Sequence, residues 1–386
     1  MRILLRAGQL ILVMATAVTA SNCAGPRGSS AISPIIADPA QQVQTRSFYM
    51  GFNPWPYDLT TPALSWTYET INGIGDIVDH HLEEGVPWPE AYSGQPFSAT
   101  FVNNIQQRLS STPASQVILL SISPLNVSRD GMALYRGSGI NMAMPSPWNG
   151  YPLDDVHVKI AYLNYAKRLI DLFHPVYVVL GVEVNLLVSN RPALWPPYLE
   201  LHKYVYGKLK ALYPSVKFTV SMTAPDLLAG YTPADHTSQM RALQDISPYI
   251  DFLGISLHPF MSSYLAETVP ADMFDKIYAL TNMKIGITES SYPAKVWSMA
   301  IGAATAVFNG SPAKQDDFVK RMLLAADRNG SFFVIYFAPR DYDALWRKAG
   351  RPPTMLPWKS TGFYDDSGQE RPALATWKMY FNSKKR

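Results

Sequence analysis

One stretch of the chain decides the fold class: residues 176–183, with the sequence VYVVLGVE, form a continuous apolar run that ends in a carboxylate. Helical patterns flank this run, from His157 to Phe173 before it and from Pro196 to Leu212 after it. A short strand that is apolar on both faces and lies between two helices is typical of a parallel sheet covered by helices. The stretch therefore predicts an α/β fold.

The same unit recurs along the chain. Short apolar runs with helical patterns between them occur at Ser47–Phe52, Asp76–His80, Val117–Ser123, Val176–Glu183, Lys217–Met222, Phe252–His258, Lys284–Glu289 and Phe332–Phe337. Further helices are predicted at Ala271–Leu280, Gln315–Arg328 and Pro372–Phe381. Eight such strands predict a single (β/α)₈ TIM barrel over residues 47–386. An open doubly wound sheet is the main alternative, but it would carry a glycine-rich turn after its first strand, where this chain has Gly51-Phe52-Asn53-Pro54.

The N-terminus has the pattern of an export signal over residues 1–22. Arg2 and Arg6 precede an apolar core, and small residues end at Ala20. We therefore expect an exported protein that is periplasmic, secreted or membrane-anchored. Cys23 lies where a bacterial lipoprotein is lipidated, although Asn22 is unusual before such a cysteine; cleavage after Ala20 with an incidental thiol is the other interpretation. Residues 23–46, rich in Gly, Pro, Ser, Ala and Gln, are predicted to be a flexible linker.

Composition excludes several classes of protein. Hydrophobic residues make up 47% and charged residues 16% of the chain, which excludes an intrinsically disordered protein. The single cysteine excludes an intramolecular disulfide framework and a cysteine-cluster metal site. The net charge is +3, and it falls to +1 when Arg2 and Arg6 are removed with the signal, so we expect no nucleic-acid partner. We expect a monomer that contacts a membrane only through a lipid at Cys23.

Two glutamates end otherwise apolar strands, Glu183 on the fourth and Glu289 on the seventh. A carboxylate there is costly unless it is hydrogen-bonded or functional. In an eight-stranded barrel these strands face each other across the catalytic mouth, and two carboxyl groups about 5–5.5 Å apart are the machinery of a retaining glycosidase. The alternative is that either residue caps its strand or pairs with a buried arginine.

Other polar and aromatic residues follow the strand ends and are candidates for contact with a sugar. The predicted substrate contacts are Asn185, His258, Tyr292, His80, Trp55 and Asn126. Six tryptophans near the strand ends are either stacking surfaces for sugar rings or ordinary packing on the barrel rim: Trp55, Trp88, Trp195, Trp297, Trp346 and Trp358.

Four motifs resemble clan A glycoside hydrolases, and among them most closely family 53, the arabinogalactan endo-β-1,4-galactanases. These motifs are Gly181-Val182-Glu183, Asp251–Phe260 (DFLGISLHPF), Ile287–Pro293 (ITESSYP) and Gly362–Gly368 with the following Pro372-Ala373-Leu374. The resemblance implies a TIM barrel that hydrolyses a carbohydrate with Glu289 as nucleophile and Glu183 as acid/base, without a cofactor or metal. Val182 stands where the clan usually has the asparagine that binds the substrate 2-hydroxyl, and we expect Asn185 to take over part of that role.

Two other functions stay open at this stage. The first is a non-catalytic glycan-binding lipoprotein on the same scaffold, which Val182 and Cys23 favour. The second is a metal-dependent hydrolase, suggested by Asp79-His80-His81. Adjacent histidines on a strand point to opposite faces, so we expect one of the pair to contact sugar rather than both to bind a metal.

Overall fold

The computed structural model describes residues 44–301 and 304–386. The predicted signal peptide, Cys23 and all of the predicted linker before residue 44 lie outside these ranges. Thr45–Arg46 pair in parallel with Lys384–Lys385, so the predicted linker extends slightly too far toward the barrel. Among the described residues, no helix combines the length and the apolar character that crossing a bilayer requires.

Eight parallel strands form the central sheet. They are β1 (Tyr49–Phe52), β2 (Ile77–Leu82), β3 (Val117–Ile122), β4 (Tyr177–Val179), β5 (Lys217–Thr219 and Ser221–Thr223), β6 (Leu253–Leu257), β7 (Ile285–Ser290) and β8 (Phe333–Tyr336). The first half of β5 pairs with β4 and its second half pairs with β6, so the sheet closes on itself. The predicted TIM barrel is confirmed.

Helices surround the barrel. They are α1 (Thr61–Ile74), α2 (Trp88–Ser93), α3 (Ala99–Ser111), α4 (Val156–Phe173), α5 (Leu186–Asn190), α6 (Trp195–Leu212), α7 (Ala224–Leu227), α8 (His236–Ile246), α9 (Met273–Tyr278), α10 (Pro312–Arg328), α11 (Asp343–Lys348) and α12 (Pro372–Phe381). The sequence patterns indicate α4, α6, α9, α10 and α12. They miss α1, α3 and α8, as well as a hairpin of Val296–Ile301 with Ala304–Asn309 that follows β7.

Large side chains fill the interior of the barrel. The rings of Tyr177, Phe252 and Phe333 pack edge to face with centroids 4.9–5.8 Å apart. Ile77, Leu119, Val179 and Val182 belong to the same buried cluster, which is separate from the larger core between strands and helices. Because this cluster fills the barrel interior, space for a ligand remains at the carboxyl ends of the strands.

Candidate active site

A cavity of about 850 Å³ opens at the carboxyl ends of the strands. It is lined by residues that follow β1, β2, β3 and β8 and by three side chains from the far side of the mouth. Those three are Glu183 after β4, His258 after β6 and Glu289 on β7. A cavity of this volume is in the range of pockets that hold small molecules or short oligomers.

Glu183 and Glu289 meet in this cavity. One carboxylate oxygen of Glu183, one of Glu289 and one ring nitrogen of His258 all lie within 4.8 Å of one another. Retaining glycosidases have carboxyl groups about 5–5.5 Å apart, whereas inverting enzymes separate them by about 6.5–9.5 Å to admit a water. The approach of one oxygen of each group to within 4.8 Å is compatible with the shorter, retaining separation.

Glu183 sits on irregular backbone, because β4 ends at Val179. Its φ is +50°, in the left-handed region, and its N–H donates to Ser221 Oγ at 2.8 Å. Ser256 Oγ donates to Oε1 at 2.8 Å, and Arg129 Nη2 lies 3.7 Å from Oε2. Burial raises the pKa of Glu183; the Arg129 charge opposes this rise and the charge of Glu289 adds to it. The result favours the protonated form.

Glu289 lies within β7, just after an irregularity in the pairing with β6: Ile287 faces Ile255, but Glu289 faces Ser256. His258 Nε2 lies 3.7 Å from Oε1, and His258 Nδ1 is 2.7 Å from Ser291 Oγ. Burial acts to raise the pKa of Glu289, but the contact with His258 and the charge of His81 outweigh it and lower that pKa. The surroundings therefore shift the pKa of Glu289 down and that of Glu183 up, so that Glu289 ionises before Glu183 as the pH rises. Such a split between neighbouring carboxyl groups assigns them different chemical tasks.

Three further charged side chains, those of His81, Glu83 and Arg129, line the cavity beside the two glutamates. His81 Nε2 is 2.9 Å from Glu83 Oε2, and Arg129 Nη2 is 2.7 Å from Glu83 Oε1. Burial would lower the pKa of His81, but its hydrogen bonds to Asp79 and Glu83 raise it well above the usual value. Burial likewise opposes ionisation of Glu83, yet Arg129 and His81 bring its pKa to about 2. These groups form an array of alternating charge in which Arg129 is buried and His81 and Glu83 are half-buried.

The structure brings four of the predicted site residues into the cavity: Glu183, Glu289, His258 and Trp55. It places the other four elsewhere. Asn185 is fully buried, where Nδ2 donates to Gln239 Oε1 at 2.9 Å and Oδ1 accepts from Thr223 N–H at 2.8 Å. Strand alternation would place Asn185 on the same side as Glu183, but it does not apply here because β4 ends at Val179.

His80, Tyr292 and Asn126 also lie outside the cavity lining. His80 points outward, with Nε2 3.1 Å from Thr112 Oγ1 and its ring against Phe173, so His81 is the histidine that faces the cavity. Tyr292 is buried against helix α10, where its hydroxyl donates to the Glu267 carbonyl. Asn126 closes its own loop, since its side chain bonds both the backbone N–H and the carboxylate of Asp130. Each of these three side chains therefore contacts other residues of the protein and does not line the cavity.

The six tryptophans divide in the same way. Trp55 and Trp358 line the cavity, where their rings are available to a sugar. The others have packing or hydrogen-bond partners elsewhere: Trp88 Nε1 with the Ala133 carbonyl, Trp195 Nε1 with Asp245, Trp297 stacked on Phe308, and Trp346 Nε1 with the Pro352 carbonyl. Two of the six tryptophans therefore line the cavity, and packing elsewhere on the barrel accounts for the other four.

Sequence reasoning missed Arg129, Ser256 and Glu83 at the site, and from the pair His80-His81 it named His80 as the substrate contact. Arg129 comes from the loop after β3, and no pattern in that loop indicated that it turns inward. Ser256 was visible as a polar residue inside the apolar strand β6. Glu83 and His81 stood among the polar residues at the end of β2, and the alternation of Ile77, Asp79 and His81 places them on one face.

Within residues 44–301 and 304–386, two sets of side chains have the spacing to hold a cation: Glu183 with His258 and Glu289, and Asp341 with Asp343 and Asp366. Both sets already face protein cations. Arg129 is next to Glu183, while Arg371 Nη2 lies 2.5 Å from Asp341 and Lys295 Nζ lies 2.8 Å from Asp366. The arrangement favours ion pairing within the protein over metal ligation at either place.

No protein-family model and no curated protein sequence matches the chain. Solved structures with a similar fold include an exo-β-1,4-mannosidase from the Opitutaceae bacterium strain TAV5, with 14% identity and a TM-score of 0.57 over 90% of this chain; the chain spans 62% of that protein's length. Fungal β-1,4-galactanases match with 14% identity and a TM-score of 0.51 over 82% of this chain and 90% of theirs. Xylanase 10B from Thermotoga maritima matches with 10% identity and a TM-score of 0.55 over 87% of this chain and 95% of its own.

These similarities show the TIM-barrel fold that the strand motifs imply. The particular resemblance to family 53 is not confirmed, since the galactanases match no better than the mannosidase or the xylanase.

Proposed function

We propose that this protein is a retaining glycoside hydrolase that cleaves O-glycosidic bonds of a poly- or oligosaccharide, with Glu289 as nucleophile and Glu183 as acid/base. The observation that carries the proposal is the pair itself: two carboxyl groups from distant strands share one cavity within 4.8 Å, and their pKa values are shifted in opposite directions.

The first chemical step uses the two protonation states as the protein holds them. A carboxylate oxygen of Glu289 attacks the anomeric carbon while the bond from that carbon to the leaving oxygen breaks. Glu183 gives its proton to the leaving oxygen, and the alcohol departs. In the second step the Glu183 carboxylate takes a proton from water, whose oxygen displaces Glu289 from the anomeric carbon. Both groups return to their starting states.

The surroundings of the pair support this division of work. His258 keeps Glu289 ionised, and Ser256 fixes the orientation of the Glu183 carboxyl group. Trp55 and Trp358 offer flat apolar faces at the same cavity. Such faces suit the C–H surfaces of a sugar ring.

Charge pairing supports a neutral sugar as the substrate. The arginine and lysine side chains that line the cavity each face a carboxylate of the same lining: Arg129 with Glu83, Arg108 with Glu84, and Lys348 with Asp58. A uronic acid would have to compete with these carboxylates for its counter-charge. Among neutral polymers, the strand motifs make β-1,4-galactan the first to test, and the N-terminal signal pattern supports a role outside the cytoplasm.

The test is direct assay of the protein with aryl glycosides of neutral sugars and with galactan, mannan and xylan. We expect hydrolysis in which the first-formed product keeps the anomeric configuration, seen by proton NMR. A 2-deoxy-2-fluoro glycoside of the active sugar should label the peptide that contains Glu289. Oligosaccharide binding without any product would instead establish a glycan-binding protein, and loss of turnover on treatment with a chelator would establish a metal-dependent hydrolase.

A further inference from the structure

Arg129 and Glu183 approach each other from two strained backbone positions. Arg129 has a φ of +51° and Glu183 a φ of +50°, both in the left-handed region that residues other than glycine seldom adopt. The two residues belong to different loops, after β3 and after β4, yet their side chains come within 3.7 Å. Strained residues persist where the surrounding structure fixes them, and they concentrate at functional sites.

The guanidinium of Arg129 is held in place by two further contacts. Its Nη1 donates to the Asn126 carbonyl at 2.8 Å, and its Nη2 forms the 2.7 Å ion pair with Glu83. The side chain is only 1% exposed, and Nε has no hydrogen-bond partner within the described parts of the chain. A buried cation of this kind is fixed in position more firmly than an ion pair at the surface.

Glu83 is shared between Arg129, which contacts Oε1, and His81, which contacts Oε2. The groups that face Glu183 itself are Arg129 from the β3 loop, Glu289 from β7, and His258 and Ser256 from β6. Of these, Arg129 is the cation that approaches Oε2, whereas Ser256 holds Oε1.

We propose that Arg129 is a positioning residue for Glu183, and that Glu83 balances its charge. This inference rests on the proposed function. During the first step one negative charge moves across the site, because Glu289 becomes a neutral ester while Glu183 gives up its proton and becomes a carboxylate. Arg129 lies on the side to which the charge moves and stabilises the carboxylate formed there. Glu83 offsets part of the arginine charge beforehand, so that Glu183 still carries its proton when substrate binds.

The proposal predicts opposite effects from the two partners. Arg129→Met removes the cation and should raise the pKa of Glu183, while Glu83→Gln leaves the arginine charge unbalanced and should lower it. Each change should move the alkaline limb of the kcat/KM profile by about 1 pH unit, upward for Arg129→Met and downward for Glu83→Gln. Damage to the fold alone would reduce turnover without moving this limb in opposite directions.

The pKa of Glu183 can also be measured without turnover. The chemical shift of its carboxyl carbon is followed by NMR as a function of pH in protein labelled with ¹³C-glutamate, and the Glu183 signal is assigned by its absence in Glu183→Gln. Arg129→Lys keeps the positive charge but removes the planar guanidinium, so it tests whether the charge alone is sufficient. The double variant Arg129→Met with Glu83→Gln removes both charges and tests whether their effects on the Glu183 pKa cancel. Circular dichroism checks that each variant folds. Arg136→Met is the matched control, since Arg136 pairs with Glu84 at 3.3 Å and lies outside the cavity lining. We expect this control to leave the Glu183 titration unchanged.

Opposite shifts for Arg129→Met and Glu83→Gln support the proposal. Shifts in the same direction, or a Glu183 titration that neither change moves, overturn it. Turnover by the unaltered protein is a separate measurement. If the protein is active but the Glu183 pKa does not change in Arg129→Met, only this inference is contradicted. If the protein is inactive but the two variants shift the Glu183 pKa in opposite directions, only the proposed function is contradicted.

Discussion

The ends of β4 and β7 present the same side chain on different backbones. Glu183 follows a strand that breaks off four residues earlier, and its carboxyl group is 7% exposed among a serine and an arginine. Glu289 belongs to a strand that continues to Ser290, and its side chain is 17% exposed beside a histidine. Burial disfavours ionisation of both, and the nearby cations lower the pKa below its usual range only at Glu289. The difference shows that partners, rather than residue type, decide which carboxyl group keeps its proton.

The largest effect should come from the β7 side. Glu289→Ala removes the group that attacks the anomeric carbon, so we expect kcat to fall by more than about 10³-fold with the fold intact. Azide fits the space left by the carboxylate and should restore part of the turnover, with a glycosyl azide of inverted configuration as product. Full activity of this variant would remove Glu289 from the mechanism.

The β4 side should respond in a way that depends on the leaving group. Glu183→Gln cannot donate a proton, and we expect a loss of about 10²–10⁴-fold for natural sugars, whose leaving oxygens need one. The first step on aryl glycosides with acidic phenols should be affected far less, and azide should give a product of retained configuration. If instead Glu183→Gln yields an inverted azide product, the roles of the two glutamates are exchanged.

The smallest effect should be a displacement of the pH profile. Glu289 must be ionised and Glu183 protonated, so activity should rise through the lowered pKa of Glu289 and fall through the raised pKa of Glu183. His258→Gln removes the group that lowers the Glu289 pKa, and the acidic limb should therefore move to higher pH. At a fixed pH on that limb, kcat/KM should fall about tenfold for every pH unit by which the limb moves.

The control for this displacement is Ser256→Ala, because the Ser256 hydroxyl donates to Glu183, whereas Ser256 meets Glu289 through the pairing of their strands. Its acidic limb should coincide with that of the unaltered protein. An acidic limb of His258→Gln that stays in place or moves to lower pH would show that His258 does not stabilise the Glu289 carboxylate.

The positions of the strands were predictable from the sequence, because buried parallel strands are apolar on both faces. The run 176–183 located β4, and the carboxylates that end it and the 284–289 run led to the site. Face assignment was predictable for β2 as well: Ile77 lies in the barrel interior, so alternation carries Asp79 and His81 inward and His80 outward. The substrate contact assigned to His80 overlooked that rule.

Loop geometry was not predictable from the sequence in the same way. Asn185 lies beyond the end of regular β4, and the left-handed turn at Glu183 redirects the chain so that its amide bonds to Thr223 and Gln239. Arg129 reaches the site through a similar turn in a different loop. Both turns depend on contacts between loops that are far apart in the chain, and no local pattern records such contacts.

The short pairing of Thr45–Arg46 with Lys384–Lys385 fixes where the two ends of the folded region emerge. Arg46 also binds Asp76, just before β2 begins, so this pairing lies at the pole of the barrel where the strands start. The cavity opens at the opposite pole. A bead, a surface or an affinity tag joined to the C-terminus would therefore attach at the pole opposite the cavity and leave the cavity facing a polymer too large to diffuse around the protein.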